Sequence, residues 1–262
     1  MNLKVSVGFH TDKGPVRDLN EDTGGFIGAK EALDGVDGVF VVADGLGGHD
    51  GGEVASKMAV DAILDAYRVG STEVNTLLPI EQSIAGVISR ANNDIYEFSM
   101  ASVSGEALHR DPDRSNMGTT VTVAILSRDE LTIGHVGDSR AYLNRQSLLA
   151  LLTEDQTLAA EQVREGVISS DTLRDHPLRN VLTQAVGTSE IVKPFVRTEH
   201  IQLGDALLLC SDGLHEIVSA SNLRQMIGES NQSQKVAEAL VTKAIKLGST
   251  DNVTALVVHV TS

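Results

Sequence analysis

Residues 41–56 read VVADGLGGHDGGEVAS, an apolar run that ends on the carboxylate of Asp44 and then empties into glycines. A carboxylate delivered by a buried strand is costly to desolvate, so a cation is expected to meet it. The residues beyond the glycines decide the fold class. Helical spacing covers 52–68, with Val54, Met58, Ala62 and Tyr67 on one stripe, and then 77–99 through Leu77, Ile84, Val87, Ile88, Ala91, Ile95 and Phe98. No strand separates the two.

The pairing recurs at about 220–228 and 233–247, where Val236, Ala237, Leu240, Val241 and Ala244 form an inner face. β-Type runs occupy 4–10, 38–44, 119–126, 131–137, 196–203, 206–212 and 252–260. A doubly wound parallel sheet requires a crossover helix between successive strands, whereas here strands follow strands and helices follow helices. The expected class is therefore α/β (α+β), with two central antiparallel β-sheets and pairs of helices on both outer faces. The polar stretch 102–116 reads as a mobile loop, and 154–180 as short helical pieces inserted between strands.

Bulk properties restrict the function. The chain has 262 residues, 41% of them hydrophobic, which suffices for a packed core. It has no run of 18 apolar residues and no secretion signal at the N-terminus, so a membrane is not expected as a partner and the cytoplasm is the expected location. The single cysteine, Cys210, excludes an intramolecular disulfide and reads as a small buried hydrophobe. A formal charge of −15 repels phosphate backbones and anionic lipid, and with no Trp and three Tyr the chain is poor in stacking platforms. Nucleic acid is not an expected partner.

Acidic residues recur in one grammar, an apolar strand beside Asp and a small residue: NED at 20–22, VADG at 42–45, HVGDSR at 135–140, LLCSDG at 208–213 and GSTDN at 248–252. Each alone is ordinary turn chemistry. Together they concentrate negative charge at one rim of the sheets. An all-oxygen set without Cys or His at zinc spacing points to Mg²⁺ or Mn²⁺. Asp44 is tolerable if it bridges two such ions, and Gly45 leaves its carbonyl free to turn toward one. Two ions about 3.5–4 Å apart are a general device for in-line displacement at phosphorus. Arg17, five residues before Asp22, is placed to grip a phosphate with two N–H donors.

Other chemistries do not fit. Six residues after Cys210 stands Glu216 rather than the arginine a cysteine phosphatase needs. The run GLGGHD at 45–50 is not a dinucleotide loop, no Gly-Lys-Ser/Thr phosphate loop occurs, and Ser139 lacks a base at useful spacing. DGVDG at 34–38 lacks the acidic positions of a calcium loop.

RDLNED, VVADGLGGHDGGEVAS, MGTTVTVA, HVGDSRAYL, LTEDQTL, RNVLTQAVG, LLLCSDGL and STDNVT occur in an order and spacing that resembles the bacterial type 2C, metal-dependent Ser/Thr protein phosphatases, from about residue 8 to residue 258. The resemblance implies a four-layer αββα sandwich in a single catalytic domain, 1–262. It implies hydrolysis of phosphoserine and phosphothreonine by a water activated between two metal ions. Asp44, Asp212 and Asp251 would hold one Mn²⁺ or Mg²⁺. Asp22, Asp44 and the Gly45 carbonyl would hold the second, with Glu21 contributing through water. Asp138, with Asp212, matches a third, looser site; Arg17 matches the phosphate-gripping arginine; and 154–180 matches a flap that tunes substrate choice. The implied partners are phosphorylated proteins, including a Ser/Thr kinase and its targets, met by a monomer. A non-catalytic relative would have lost ligands, and no expected aspartate is missing. Two positions depart from the pattern. Leu46 stands where the eukaryotic branch has a histidine proposed as general acid, leaving the acid unassigned with His49 a weak substitute, and Gln156 stands where many relatives have His.

Overall fold

The computed structural model describes residues 3–47, 51–104 and 117–261. Strands β1 (Lys4–Asp12), β2 (Asp22–Gly28) and β3 (Gly38–Leu46) lead into helices α1 (Gly51–Ala66) and α2 (Ile80–Ser104). Strands β4 (Gly118–Thr119), β5 (Val121–Ser127), β6 (Glu130–Val136), β7 (Arg140–Arg145) and β8 (Leu148–Leu151) come next. After the short helix α3 (Leu158–Arg164) and a 3-10 turn at Ser170–Asp175 come β9 (Phe195–His200), β10 (Ala206–Cys210), α4 (Asp212–His215), α5 (Ala220–Gly228), α6 (Ser233–Lys246) and β11 (Val253–Thr261). One sheet has the order β1-β11-β10-β7-β8; the other is β2-β3-β5-β6-β9 with β4 beside β3. Every pairing is antiparallel.

Side-chain alternation divides the apolar residues into three layers. On β3, Val39, Val41 and Ala43 pack beneath α1 and α2, while Phe40 and Val42 join Leu207, Leu209, Leu256 and Val258 between the sheets. On the far side, Leu208, Cys210, Ala255 and Val257 meet Leu223, Val236 and Leu240 of α5 and α6. Three apolar layers separate four layers of structure, as expected.

The differences have local causes. β2 is missed because its sequence, DTGGFIG, shows little alternation; a Cβ on Gly24 would lie 2.5 Å from the Phe9 ring. β8 is an edge strand whose Leu148 and Leu151 are exposed, and β7 sits within a polar motif. The 119–126 run breaks at Thr120 into β4 and β5. The fully buried face of α1 is Ala55, Ala59, Val60 and Ile63; of the expected Val54/Met58/Ala62/Tyr67 stripe, Tyr67 is buried just past the helix, while Val54 and Met58 pack half-buried against the same layer. α2 begins only after Pro79, which leaves Leu77 exposed, and Phe98 is exposed too. It runs on to Ser104, so the start of 102–116 is helical; the remainder of that stretch, 105–116, lies outside the described residues.

Candidate active site

The between-sheet layer ends in polar groups at one rim. Continuing the alternation of β3 past Phe40 and Val42 brings Asp44, directly opposite Asp22 on β2. Ser211 continues the series Leu207, Leu209 on β10, and Thr254 precedes Leu256 on β11. Both hydroxyls donate to Asp22 Oδ2 at 2.7 Å. Asp212 opens α4, Asp251 precedes β11 and Asp138 comes just after β6, so chain segments far apart in sequence meet. A cavity of about 280 Å³ is lined by Arg17, Glu21, Asp44, Gly45, Asp138, Asp212 and Asp251, with Asn180 and Leu182 at the end of the inserted segment.

Glycines permit this convergence. A Cβ on Gly45 would lie 2.2 Å from the Gly52 carbonyl oxygen at the start of α1, and one on Gly213 would lie 2.0 Å from that of Asn252. The Gly45 N–H also donates to the Glu21 carbonyl at 3.1 Å. Glycine after Asp44 and Asp212 is thus required by backbone approach, a reason the sequence does not disclose.

Supporting residues that sequence reasoning missed lie just beneath. Asn252 accepts from Glu21 N–H at 2.8 Å and donates to the carbonyls of Lys13 and Leu19, pinning the loop that carries Arg17 and Glu21. Asp44 N–H donates to Thr120 Oγ1, which bonds Ser139 Oγ; Thr122 links the Ser139 carbonyl to His135 Nδ1. These small hydroxyls occupy the between-sheet parity at strand ends, the one signal that could have identified them. Gln156 holds the turn before Asp138 from both sides: its Oε1 accepts from Gly137 N–H at 2.9 Å and its backbone N–H donates to the Gly137 carbonyl at 2.8 Å. Gln156→Ala removes the acceptor for a buried N–H and is expected to lower unfolding free energy by about 1–3 kcal/mol, measurable as a shift of the urea midpoint of chelated protein.

Charge crowding perturbs the carboxylates. Burial raises Asp22 to about 6, with the Ser211 and Thr254 bonds opposing it. Burial, with Asp155 and Glu216 nearby, raises Asp138 to about 7. Asp44 and Asp212 are raised well above the ordinary range, by burial first and then by their acidic neighbours. Burial likewise holds His135 down at about 4 and His215 at about 3, and lifts the Cys210 thiol to about 12, in keeping with an inert buried cysteine.

Three carboxylate oxygens, Glu21 Oε1, Asp22 Oδ1 and Asp212 Oδ1, are buried with no hydrogen-bond partner. Such orphans are rarely tolerated. A hard cation would satisfy them, and the donor set of oxygens alone fits Mn²⁺ or Mg²⁺. Arg17 meanwhile donates to Asp251 Oδ2 at 2.7 Å, with Asp251, Glu21 and Asp44 raising its pKa against the opposing effect of burial. This pair draws Asp251 toward the guanidinium, and among the described residues no three His, Cys, Asp or Glu side chains stand together in ready ligating geometry. Leu46 lines the cavity, no histidine does so among the described residues, and His49 lies outside them.

The chain matches the sequence profile of the family described as Protein phosphatase 2C over residues 19–246. It is 36% identical over 251 residues to the serine/threonine phosphatase stp of Listeria monocytogenes, covering 96% of this chain and 94% of the relative. It is 34% identical to the serine/threonine protein phosphatase PstP of Mycobacterium tuberculosis over 99% of this chain and 46% of that longer protein. Among solved structures, the serine/threonine phosphatase Stp1 from Staphylococcus aureus aligns with a TM-score of 0.86 at 27% identity, over 99% of this chain and 96% of that one. The PstP catalytic domain in complex with two manganese ions aligns at 0.81 with 28% identity, over the whole of both chains. Profile, sequence and fold agree over nearly the whole length, and the chain belongs to the protein phosphatase 2C family.

Proposed function

We infer that this chain is a metal-dependent serine/threonine protein phosphatase that hydrolyses phosphoserine and phosphothreonine in proteins, without a covalent phosphoenzyme. The observation that carries the reading is the buried, unpartnered carboxylate oxygens of Glu21 and Asp212, which line one cavity with Arg17, together with that of Asp22, which pairs with Asp44 across β2 and β3. Asp44, Asp212 and Asp251 are assigned to one Mn²⁺ or Mg²⁺, and Asp22, Asp44 and the Gly45 carbonyl to the second, with Glu21 supporting through water. Asp138, with Asp212, is assigned to a third, looser site. When bound, the ions stabilise charge developing at phosphorus and lower the pKa of the attacking water.

The chain's own residues do the rest. Ser211 and Thr254 hold Asp22 in one orientation, and Asn252 fixes the Arg17 loop. Arg17 exchanges Asp251 for the phosphate, to which it presents two N–H donors. His215 is not the proton donor to the leaving alkoxide: its Nε2 proton is engaged by the Asp138 carbonyl and its ring stays neutral.

Arg17→Ala is expected to raise KM about 10–100-fold with a smaller effect on kcat, the worth of a charge-assisted contact made in both ground and transition states. Equal KM values for variant and wild type would remove its assignment. The overall reading is tested with phosphothreonine and phosphotyrosine peptides in Mn²⁺; turnover confined to phosphotyrosine overturns the substrate class. Because the assigned ligands come from both ends of the chain, residues 1–262 act as a single catalytic domain. Among the described residues no helix is long and apolar enough to cross a membrane. The proposed setting is a cytoplasmic monomer opposing a Ser/Thr kinase.

A further inference from the structure

Asn180 lines the acidic cavity and has no part in the assignments above. The carboxylates there are assigned to metal ions and Arg17 to the phosphate, and the other amide, Asn252, is spent: its Oδ1 accepts from Glu21 N–H and its Nδ2 donates to the carbonyls of Lys13 and Leu19. Asn180 is not. Among the described residues its side chain makes one hydrogen bond, a long one of 3.5 Å from Nδ2 to Glu216 Oε2, which leaves a second N–H and the Oδ1 acceptor uncommitted. The residue is exposed, so a macromolecule can reach it.

The chain around it is held. Val181 N–H donates to the Leu178 carbonyl at 3.2 Å, Leu158 N–H to the Val181 carbonyl at 2.8 Å and Thr183 N–H to the Gln156 carbonyl at 2.8 Å, while Leu182 bridges to Thr157. On the other side Glu216, in the turn after the α4 helix that Asp212 opens, faces Arg179 at 3.5 Å as well as Asn180. The amide is therefore presented by an anchored arm beside the acidic centre. Being uncharged, it neither repels a phosphate nor adds to the crowded acids.

A side chain with a donor and an acceptor side by side matches the N–H and C=O of one residue in an extended chain, the pair of groups that antiparallel strands exchange. We propose that Asn180 is a substrate-binding residue whose amide takes the main-chain N–H and C=O of a residue flanking the phosphorylated serine or threonine. The proposal rests on the phosphatase reading above and gives the site a hold on peptide as well as on phosphate.

The test compares wild type with Asn180→Ala in Mn²⁺ on a phosphothreonine peptide, on analogues of it in which each flanking amide in turn is replaced by an ester, and on p-nitrophenyl phosphate, which has no main chain. The variant is expected to lose about tenfold in kcat/KM on the parent peptide, through KM, and about fivefold or more beyond any loss on p-nitrophenyl phosphate. One ester, which removes a single N–H, is expected to cost wild type about fivefold and the variant about twofold or less, because both changes delete the same contact. Equal losses on peptide and p-nitrophenyl phosphate, a shift in the Mn²⁺ concentration needed for half-activation, or ester effects the same in both proteins each overturn the proposal, while turnover of p-nitrophenyl phosphate leaves the phosphatase reading standing. No turnover of any phosphoester by wild type overturns that reading first. Should Asn180→Ala fail to fold, Asn180→Asp, which keeps the size and the acceptor but loses the N–H donors, carries the same comparison.

Discussion

Asp44→Ala is expected to abolish turnover, by at least about a thousandfold, while raising the melting temperature of the metal-free protein. The two effects have one origin. Asp44 is the residue assigned to both ions, so its loss removes an anchor from each. In the absence of metal the same carboxylate stands opposite Asp22 and close enough to Asp212, Asp138 and Asp251 for each to raise its pKa. The fold does not depend on it. The bonds that fix this part of β3 run through the main chain, from Asp44 N–H to Thr120 Oγ1 and from Thr120 N–H and Thr119 Oγ1 to the Asp44 carbonyl. Removing the side chain therefore relieves repulsion without breaking a strand contact, and each kcal/mol gained raises the melting temperature by about 2–4 °C. Scanning calorimetry in chelator and a phosphopeptide assay in Mn²⁺ check both halves. Residual activity within tenfold of wild type overturns the bridging assignment, and a lowered melting temperature shows the carboxylate to be structural.

Much of this centre was legible in the sequence because its chemistry is local. Asp and Gly at strand ends, and an arginine five residues before Asp22, are visible without coordinates. So was the pairing of helices, since α2, α5 and α6 carry their apolar residues at regular spacing. What was not legible depends on contacts between distant segments. The roles of Ser211 and Thr254 arise only when β10 and β11 bring two hydroxyls onto Asp22 from 189 and 232 residues away. The requirement for Gly45 is set by the Gly52 carbonyl at the start of α1, and that for Gly213 by Asn252, 39 positions later in the numbering. β2 has little alternation of its own and is a strand because β3 pairs with it over seven residues. Local pattern reports local structure; the rim where the sheets meet is a tertiary property.

Chelation should eliminate turnover and also reverse the dependence of stability on pH. In the metal-free protein Asp22 is raised to about 6 and Asp138 to about 7, and Asp44 and Asp212 are raised as well. A carboxyl whose folded pKa exceeds its unfolded value binds its proton more tightly when folded. Its stabilising contribution is complete below the unfolded value, near 4, and is lost as pH rises through the folded one. Stability in chelator is therefore expected to fall between about pH 4 and pH 7. With Mn²⁺ the sign changes, because the ions bind deprotonated carboxylates and compete with protons for them. A single site occupied at a hundred times its Kd adds about 2.7 kcal/mol, and this increment should grow with pH. Melting curves at pH 5, 6, 7 and 8, with Mn²⁺ and with chelator, should diverge upward. The formal charge of −15 adds a slope of its own through general repulsion, so the chelated Asp44→Ala variant serves as the control, and its slope should be shallower than that of wild type. An Mn²⁺ increment that is the same at pH 5 and pH 8, or chelated wild type growing more stable across that window, would mean that these acids are not gathered into a common cation site.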